Sequence, residues 1–254
     1  MTETYEKEHG LTVKEEQKKM GLADLHLHTI YSYDGTATVR AVLQRARQLG
    51  LNVIAITDHD EIAGALEAEK LACHYGVEVI VGSEITTAEG DLLALFIDEK
   101  IQPGLSLIET LLKVKDQGGV AIAAHPMAGG MGMKSLTPAS ILSALRHPVA
   151  GKVLIGIETY NGTAIDRISN HYARIFANTI NLAHTANSDA HVIDTIGFGA
   201  TEFPGTTASD LLIALQERTT RVRKLNEWSP LRVMSSWGFR YLESAFTRLV
   251  MARA

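Results

Sequence analysis

From residue 21 onward the chain alternates two kinds of segment. Short, nearly unbroken apolar runs rich in Val, Ile, Leu and Ala lie at 22–27, 52–57, 77–81, 92–97, 120–124, 153–158, 181–186 and 198–203. Their length and β-branched content predict strands. Between most of them the apolar positions recur every three or four residues. In the stretch 38–49 these are Val39, Val42, Leu43, Ala46 and Leu49, and Gly50 follows. That spacing predicts a helix with a glycine stop. Further helices are predicted over 61–75, 105–117, 164–179 and 209–217, and one begins at Thr137-Pro138, an N-cap residue with proline at the first helical position. Strands that lack polar alternation are covered on both faces, so the pattern predicts a parallel sheet layered with helices. About seven such units point to a closed or distorted barrel, with an open doubly wound sheet as the second architecture. In either, functional groups belong at the C-terminal ends of the strands.

The flanks differ from this core. Residues 1–20 are polar and charged and read as an N-terminal extension, 21–220 as the α/β domain, and 221–254 as a basic, aromatic, helical tail. The tail carries Trp228, Trp237, Phe239 and Tyr241 among Arg221, Arg223, Lys224, Arg232 and Arg240. It is expected to pack on the domain or on a second copy, a membrane-touching helix being the alternative. The length of 254 residues suits one large domain, and the net charge of −5 argues against broad nonspecific nucleic-acid binding, so no stable nucleic-acid complex is expected. A single cysteine, Cys73, excludes an intramolecular disulfide and a thiolate-rich zinc site. It reads as a small buried hydrophobe, compatible with a reducing cytoplasm. No run is long and apolar enough to span a bilayer.

Five polar clusters interrupt the apolar pattern, each directly after a predicted strand. They are His26-Leu27-His28, Thr57-Asp58-His59-Asp60, Gly82-Ser83-Glu84, Ala124-His125-Pro126 and Ser188-Asp189-Ala190-His191. Residues two apart on a strand share a face, so His26 and His28 reach one point together, as do Asp189 and His191. Asp24 points the same way, for support of the histidines or for loop capping. Asp34 precedes Gly35 in a turn and is open to either ligation or turn formation. Asp58 is placed to hydrogen-bond a ligating imidazole, and Asp60 to cap the next helix. Glu84 offers two oxygens to neighbouring metals, with Gly82 allowing close approach. Pro126 is expected to hold His125 extended. Nitrogen and oxygen donors without sulfur suit Mn, Fe or Zn. The remaining histidines, His9, His74, His147, His171 and His184, read as surface or satisfied core.

The motifs ADLHLHT at 23–29, TDHD at 57–60, GSE at 82–84, AHP at 124–126 and NSDAH at 187–191 resemble the PHP (polymerase and histidinol phosphatase) family of metal-dependent phosphoesterases. The resemblance implies a distorted (β/α)7 TIM-like barrel with two or three divalent metal ions at the strand ends. It implies that His26, His28, Glu84 and Asp189 hold one metal, and Asp34, His59 and His191 a second. Glu84 would bridge to a third site with His125. Where many members carry a histidine after the glutamate, this chain has Asp91. The implied reaction is hydrolysis of a phosphoester by a metal-activated water, on a small phosphorylated metabolite or nucleotide. His59 and His191 are the candidate proton donors, Asp58 supports catalysis, and Lys134 in the loop 127–136 and Arg167 are the candidate phosphate contacts. A C–N hydrolase of the amidohydrolase type and a non-enzymatic, metal-stabilised binding module are the alternatives.

Overall fold

The computed structural model describes residues 19–129, 134–163 and 167–251, the side chains of 167 and 246–251 excepted. The strands β1 Met20–Asp24, β2 Val53–Ile56, β3 Glu78–Thr86, β4 Asp91–Leu95, β5 Val120–Ala123, β6 Leu154–Asn161 and β7 Ala183–Asn187 form the barrel wall, and β8 Gly199–Pro204 and β9 Arg221–Lys224 extend it. The sheet order is β7-β6-β5-β4-β3-β2-β1-β8-β9. The helices are α1 Val39–Leu49, α2 Ala63–Leu71, α3 Leu107–Asp116, α4 Pro138–Arg146, α5 Arg167–Ala177, α6 Ala208–Glu217 and α7 Pro230–Met251. The result is an α/β fold with a nearly closed, distorted TIM-like barrel. Past the ends of β1 and β7 the chain closes directly on itself through the parallel bridge Leu27↔Ala190, at the end where the polar clusters lie.

The apolar periodicity sorts side chains as anticipated. Leu25, Val53, Ala55, Ile80, Leu93, Ile122 and Phe203 fill the barrel, and Leu211 and Leu215 of α6 pack against them. Their neighbours Ile54 and Ile56 face α1 and α2, while Leu92, Ala94, Ala121 and Ala123 face α3 and α4. Helix α1 begins where Thr38 accepts a hydrogen bond from the Ala41 amide and ends at Gly50, with φ 71°. Left-handed backbone of that kind favours glycine.

Four expectations are corrected. The sheet is mixed: β4 runs antiparallel to β3 and β5, and β8 antiparallel to β1 and β9. The connection from β3 to β4, residues 87–90, is too short for a parallel crossover, which takes a dozen residues or more. Arg221–Lys224 is a ninth strand rather than the start of a helical tail. Cys73 is exposed in a short 3-10 turn rather than buried. Finally, Gly82 serves sheet packing. A Cβ there would lie 2.7 Å from the Ala94 carbonyl oxygen and 3.2 Å from Thr57 Cγ2. We therefore expect Gly82→Ala to cost about 1–3 kcal/mol as an overpacked interior position, read as a shift of the urea unfolding midpoint at unchanged slope. Metal content in the folded fraction should stay as in the parent chain.

Candidate metal centre

All five clusters converge at one end of the barrel, and the reason is topological. β1, β2, β3, β5, β6 and β7 run parallel, so their C-terminal ends share one rim. Because β4 runs the other way, its first residue, Asp91, opposite Thr86, arrives at that same rim. His26, His28, Glu84, Asp91, His125 and Asp189 are buried, and Asp34, His59 and His191 are partly exposed. Four overlapping groups have ligand atoms within 4.8 Å of one another: His28, Asp34, His59 and His191; His26, His28 and Glu84; His26, His125 and Asp189; and Glu84, Asp91 and His125.

Glu84 lies at the middle. Its Oε2 is 3.0 Å from His26 Nε2, 3.3 Å from His28 Nε2 and 3.1 Å from His59 Nδ1. Its Oε1 is 2.8 Å from His125 Nε2. The two oxygens thus face different donor groups. Asp189 Oδ1 approaches His28 Nε2 at 3.2 Å and His26 Nε2 at 3.4 Å. Asp34 joins the cluster, its Oδ2 lying 3.2 Å from His191 Nε2 and 3.4 Å from His59 Nε2. Two residues of the cluster sit on left-handed backbone, His125 at φ 24° and Asp189 at φ 53°. The extended conformation expected of His125 before Pro126 is therefore not adopted. At the end of β5 the chain must turn, and that turn aims the ring at Glu84.

The electrostatics describe a pocket built for cations. Burial alone would push the imidazole of His26 down, but the carboxylates of Asp189, Glu84 and Glu158 more than offset it and hold it well above its usual range. Burial opposes and the Glu84 carboxylate again prevails at His125, which is raised to about 9. Burial likewise opposes ionisation of Glu84, but the surrounding imidazoles, His26 and His59 first, hold it well below the usual carboxylate range. Asp91 is raised to about 6, by burial and then by the Glu84 charge. Among the described residues, both ring nitrogens of His28, Asp189 Oδ1 and Asp91 Oδ1 are buried without a hydrogen-bond partner. Unpaired buried polar atoms are costly. Four carboxylates, Asp34, Glu84, Asp91 and Asp189, facing five imidazoles leave up to four negative charges for cations to balance. Divalent metal ions satisfy both the charge and the orphaned donors, so the residues fit the metals.

A supporting layer was not singled out from the sequence. Glu158, buried within β6, receives the His125 backbone N–H at 2.6 Å and the Asn187 side-chain amide at 2.7 Å. Its Oε1 lies 3.1 Å from His26 Nδ1. Asn161 Nδ2 donates to Asp189 Oδ2 at 2.9 Å. A carboxylate closing an apolar strand, as Glu84 does, was the available signal for Glu158. Two other acids, Asp58 and Asp60, work differently from expectation, and Asp24 takes the second of its two expected roles. Asp58 accepts from the Thr29 amide at 2.6 Å and the Thr29 hydroxyl at 2.7 Å, so it braces the loop after β1 instead of an imidazole. Asp60 accepts from the Thr86 amide at 2.8 Å, and α2 starts without a side-chain cap. Asp24 caps loops, accepting from the amides of Ser188 and Gly197 at 2.9 and 3.1 Å.

The cluster opens into a cleft of about 600 Å³. Lys134 and Thr163 stand on its rim, and Val233, Met234 and Trp237 of α7 form an apolar wall. Trp237 Nε1 donates to the Asp34 carbonyl at 3.2 Å, and Arg240 pairs with Asp194 at 3.0 Å. Tyr33 stacks on His59 with ring centroids 5.0 Å apart. The candidate Arg167 heads α5, its side chain outside the described residues, as are His9 and residues 130–133 of the loop bearing Lys134. Among the described residues no helix is long and apolar enough to cross a membrane.

A family model, the PHP domain, matches residues 24–202. An uncharacterized protein of Methanocaldococcus jannaschii is 40% identical over 161 residues, covering 59% of this chain and 88% of that protein. A 5'-3' exoribonuclease of Haemophilus influenzae is 32% identical over 153 residues, covering 57% of this chain; the chain spans about half of that enzyme, 55%. Among solved structures, a two-domain protein containing a predicted PHP-like metal-dependent phosphoesterase from Bacteroides vulgatus superposes with a TM-score of 0.65 at 20% identity, over 82% of this chain and 66% of that one.

Proposed function

The chain belongs to the PHP domain family, and on that premise we propose that it is a metal-dependent phosphoesterase acting on a small phosphorylated metabolite or nucleotide. The observation that carries this reading is Glu84, whose two oxygens face separate donor groups at 2.8–3.3 Å. On this reading His26, His28, Glu84 and Asp189 hold one metal and Asp34, His59 and His191 a second, with His28 placed to share. Glu84, His125 and Asp91 hold a third. Bound there, Mn, Fe or Zn ions supply Lewis-acid charge for the phosphoryl oxygens and lower the pKa of water.

The chain's own residues do the rest. Lys134 meets a phosphate oxygen from the rim, and Thr163 flanks it. His191 and His59, the most open of the five histidines, line the cleft and present the second metal position to the substrate. Asp58 acts through Thr29, fixing the loop that carries Asp34. The apolar wall of Val233, Met234 and Trp237 accommodates the part of the substrate that is not phosphate and keeps water from it. A second reading, removal of nucleotides from an RNA end, is favoured by the likeness to the Haemophilus influenzae exoribonuclease.

Purified chain supplied with Mn²⁺, Fe²⁺ or Zn²⁺ should hydrolyse at least one of p-nitrophenyl phosphate, a nucleoside monophosphate, a sugar phosphate or a short oligoribonucleotide. The activity should disappear with a chelator and return with metal. Metal-dependent thermal stability without turnover on any of these would sink the catalytic reading and favour a metal-stabilised binding module. Turnover of the oligoribonucleotide alone would select the second reading.

A further inference from the structure

Helix α7 lies beyond residues 24–202, the span that matches the family. Two of its side chains nevertheless reach the loops that carry the outer part of the cluster. Trp237 Nε1 donates to the Asp34 carbonyl at 3.2 Å. Arg240 Nη2 lies 3.0 Å from Asp194 Oδ2, and Asp194 stands in the 3-10 turn Ile193–Thr195, three residues past His191. Asp34 belongs to the link 25–38 between β1 and α1, and His191 to the link 188–198 between β7 and β8. Residues three apart on a helix are neighbours on one face. A single turn of α7 therefore holds both links at once. The indole is itself held, stacked on Tyr241 one turn further along with ring centroids 5.1 Å apart.

The residues so held are those with the least support from the barrel. The side chains of Asp34, His59 and His191 are 14, 15 and 22% exposed, whereas those of His26, His28 and Glu84 are at most 1% exposed. His26 and Asp189 are also fixed from inside, by Glu158 and Asn161. The two outer links touch each other at one point, where the Thr36 amide and hydroxyl donate to the His191 carbonyl at 3.0 and 2.8 Å. Fixing the peptide of Asp34 also steadies its neighbour Tyr33, which stacks on His59. A site that is in ligating geometry for only a fraction of the time binds more weakly by that fraction.

We propose that Trp237 and Arg240 are positioning residues: α7 staples the two links together and so fixes Asp34, His59 and His191 to hold a metal ion. The inference rests on the reading of the cluster as a metal centre, and it makes the outer metal position depend on a helix that supplies no ligand. The inner position, built on strand ends and Glu158, does not depend on it.

The test is calorimetric Mn²⁺ titration of the metal-free full chain. Asp34→Asn identifies the outer class of sites as the one it weakens. W237F keeps the ring and removes the N–H, and R240M keeps the stem and removes the charge. One exposed ion pair and one neutral hydrogen bond are each worth a few-fold, so W237F/R240M should weaken the outer class by about 10-fold. The inner class should stay within about 2-fold of the parent. R240K, which preserves the charge, should retain most of the outer affinity. At saturating Mn²⁺ the double variant should recover the parent kcat and KM on p-nitrophenyl phosphate, because the staple acts on the metal and not on the substrate. Unchanged outer affinity in the double variant, or equal weakening of both classes, overturns the proposal. So does a raised KM that persists at saturating Mn²⁺ with metal affinity as in the parent, for Trp237 and Arg240 would then act on the substrate. A parent chain that binds no Mn²⁺ overturns the metal reading and the staple together. Selective loss of the outer class in a chain without turnover upholds the staple and removes only the catalytic reading.

Discussion

Glu84→Gln should strip the centre of at least one metal ion per chain and lower phosphoester hydrolysis by more than 100-fold. The substitution keeps the shape of the side chain and removes its charge. Loss of an outer hydrogen-bond partner of a metal ligand typically costs about 10–100-fold in affinity or activity. Glu84 is not an outer partner, because His26, His28, His59 and His125 all stand within 3.3 Å of its two oxygens. An amide offers one weaker acceptor and a donor that faces imidazole nitrogens, so both neighbouring metal positions lose a ligand at once. Elemental analysis of the purified variant, read with kcat on the best substrate of the panel, checks this. Full metal occupancy in the variant would show that Glu84 is not the bridge.

Glu158→Gln should weaken metal binding by about 10–100-fold without moving any side chain of the cluster. A carboxylate only accepts hydrogen bonds, so Glu158 Oε1 at 3.1 Å requires the proton of His26 to sit on Nδ1. Nε2 then faces the carboxylates of Glu84 and Asp189 at 3.0 and 3.4 Å, where a bound metal ion would take the place of the Nε2 proton. The glutamine cannot accept from His26, from the His125 amide and from Asn187 together, as Glu158 does. Glu158→Ala goes further and leaves those buried donors unpaired, at about 1–3 kcal/mol each. Calorimetric metal titration of Glu158→Gln and urea unfolding of Glu158→Ala separate the two effects. Parent-like metal affinity in Glu158→Gln would remove Glu158 from the positioning role.

The clustered residues were legible because the chemistry is local. Residues two apart on a strand share a face, so the pairs at 26 and 28 and at 189 and 191 could be assigned to one point with no knowledge of the fold. Alternating apolar strands and helices placed the C-terminal ends of β1, β2, β3, β5, β6 and β7 on one rim. Asp91 shows where such reasoning stops. Its position followed only from a resemblance, because the direction of β4 is not encoded in its apolar run. The four-residue link at 87–90 carried that information through its length alone. Asp34 was undecided between turn and ligand for a similar reason, since only the folded loop sets its carboxylate beside His59 and His191.

Periodicity and residue chemistry by themselves determined the α/β class, the end of the barrel that carries the cluster, and seven residues that the fold brings together there: His26, His28, His59, Glu84, His125, Asp189 and His191. Those features depend on backbone period and side-chain type, which are properties of short segments. Tertiary structure alone decided that Glu158 lies 3.1 Å from His26 Nδ1, that Asp58 braces a loop, that α7 walls the cleft over the cluster, and that four cations distant in sequence, Arg174, Arg218, Arg221 and Lys224, share one cavity. Each of these depends on which surfaces meet across barrel closure, and contacts between residues tens of positions apart leave no periodic trace in the chain.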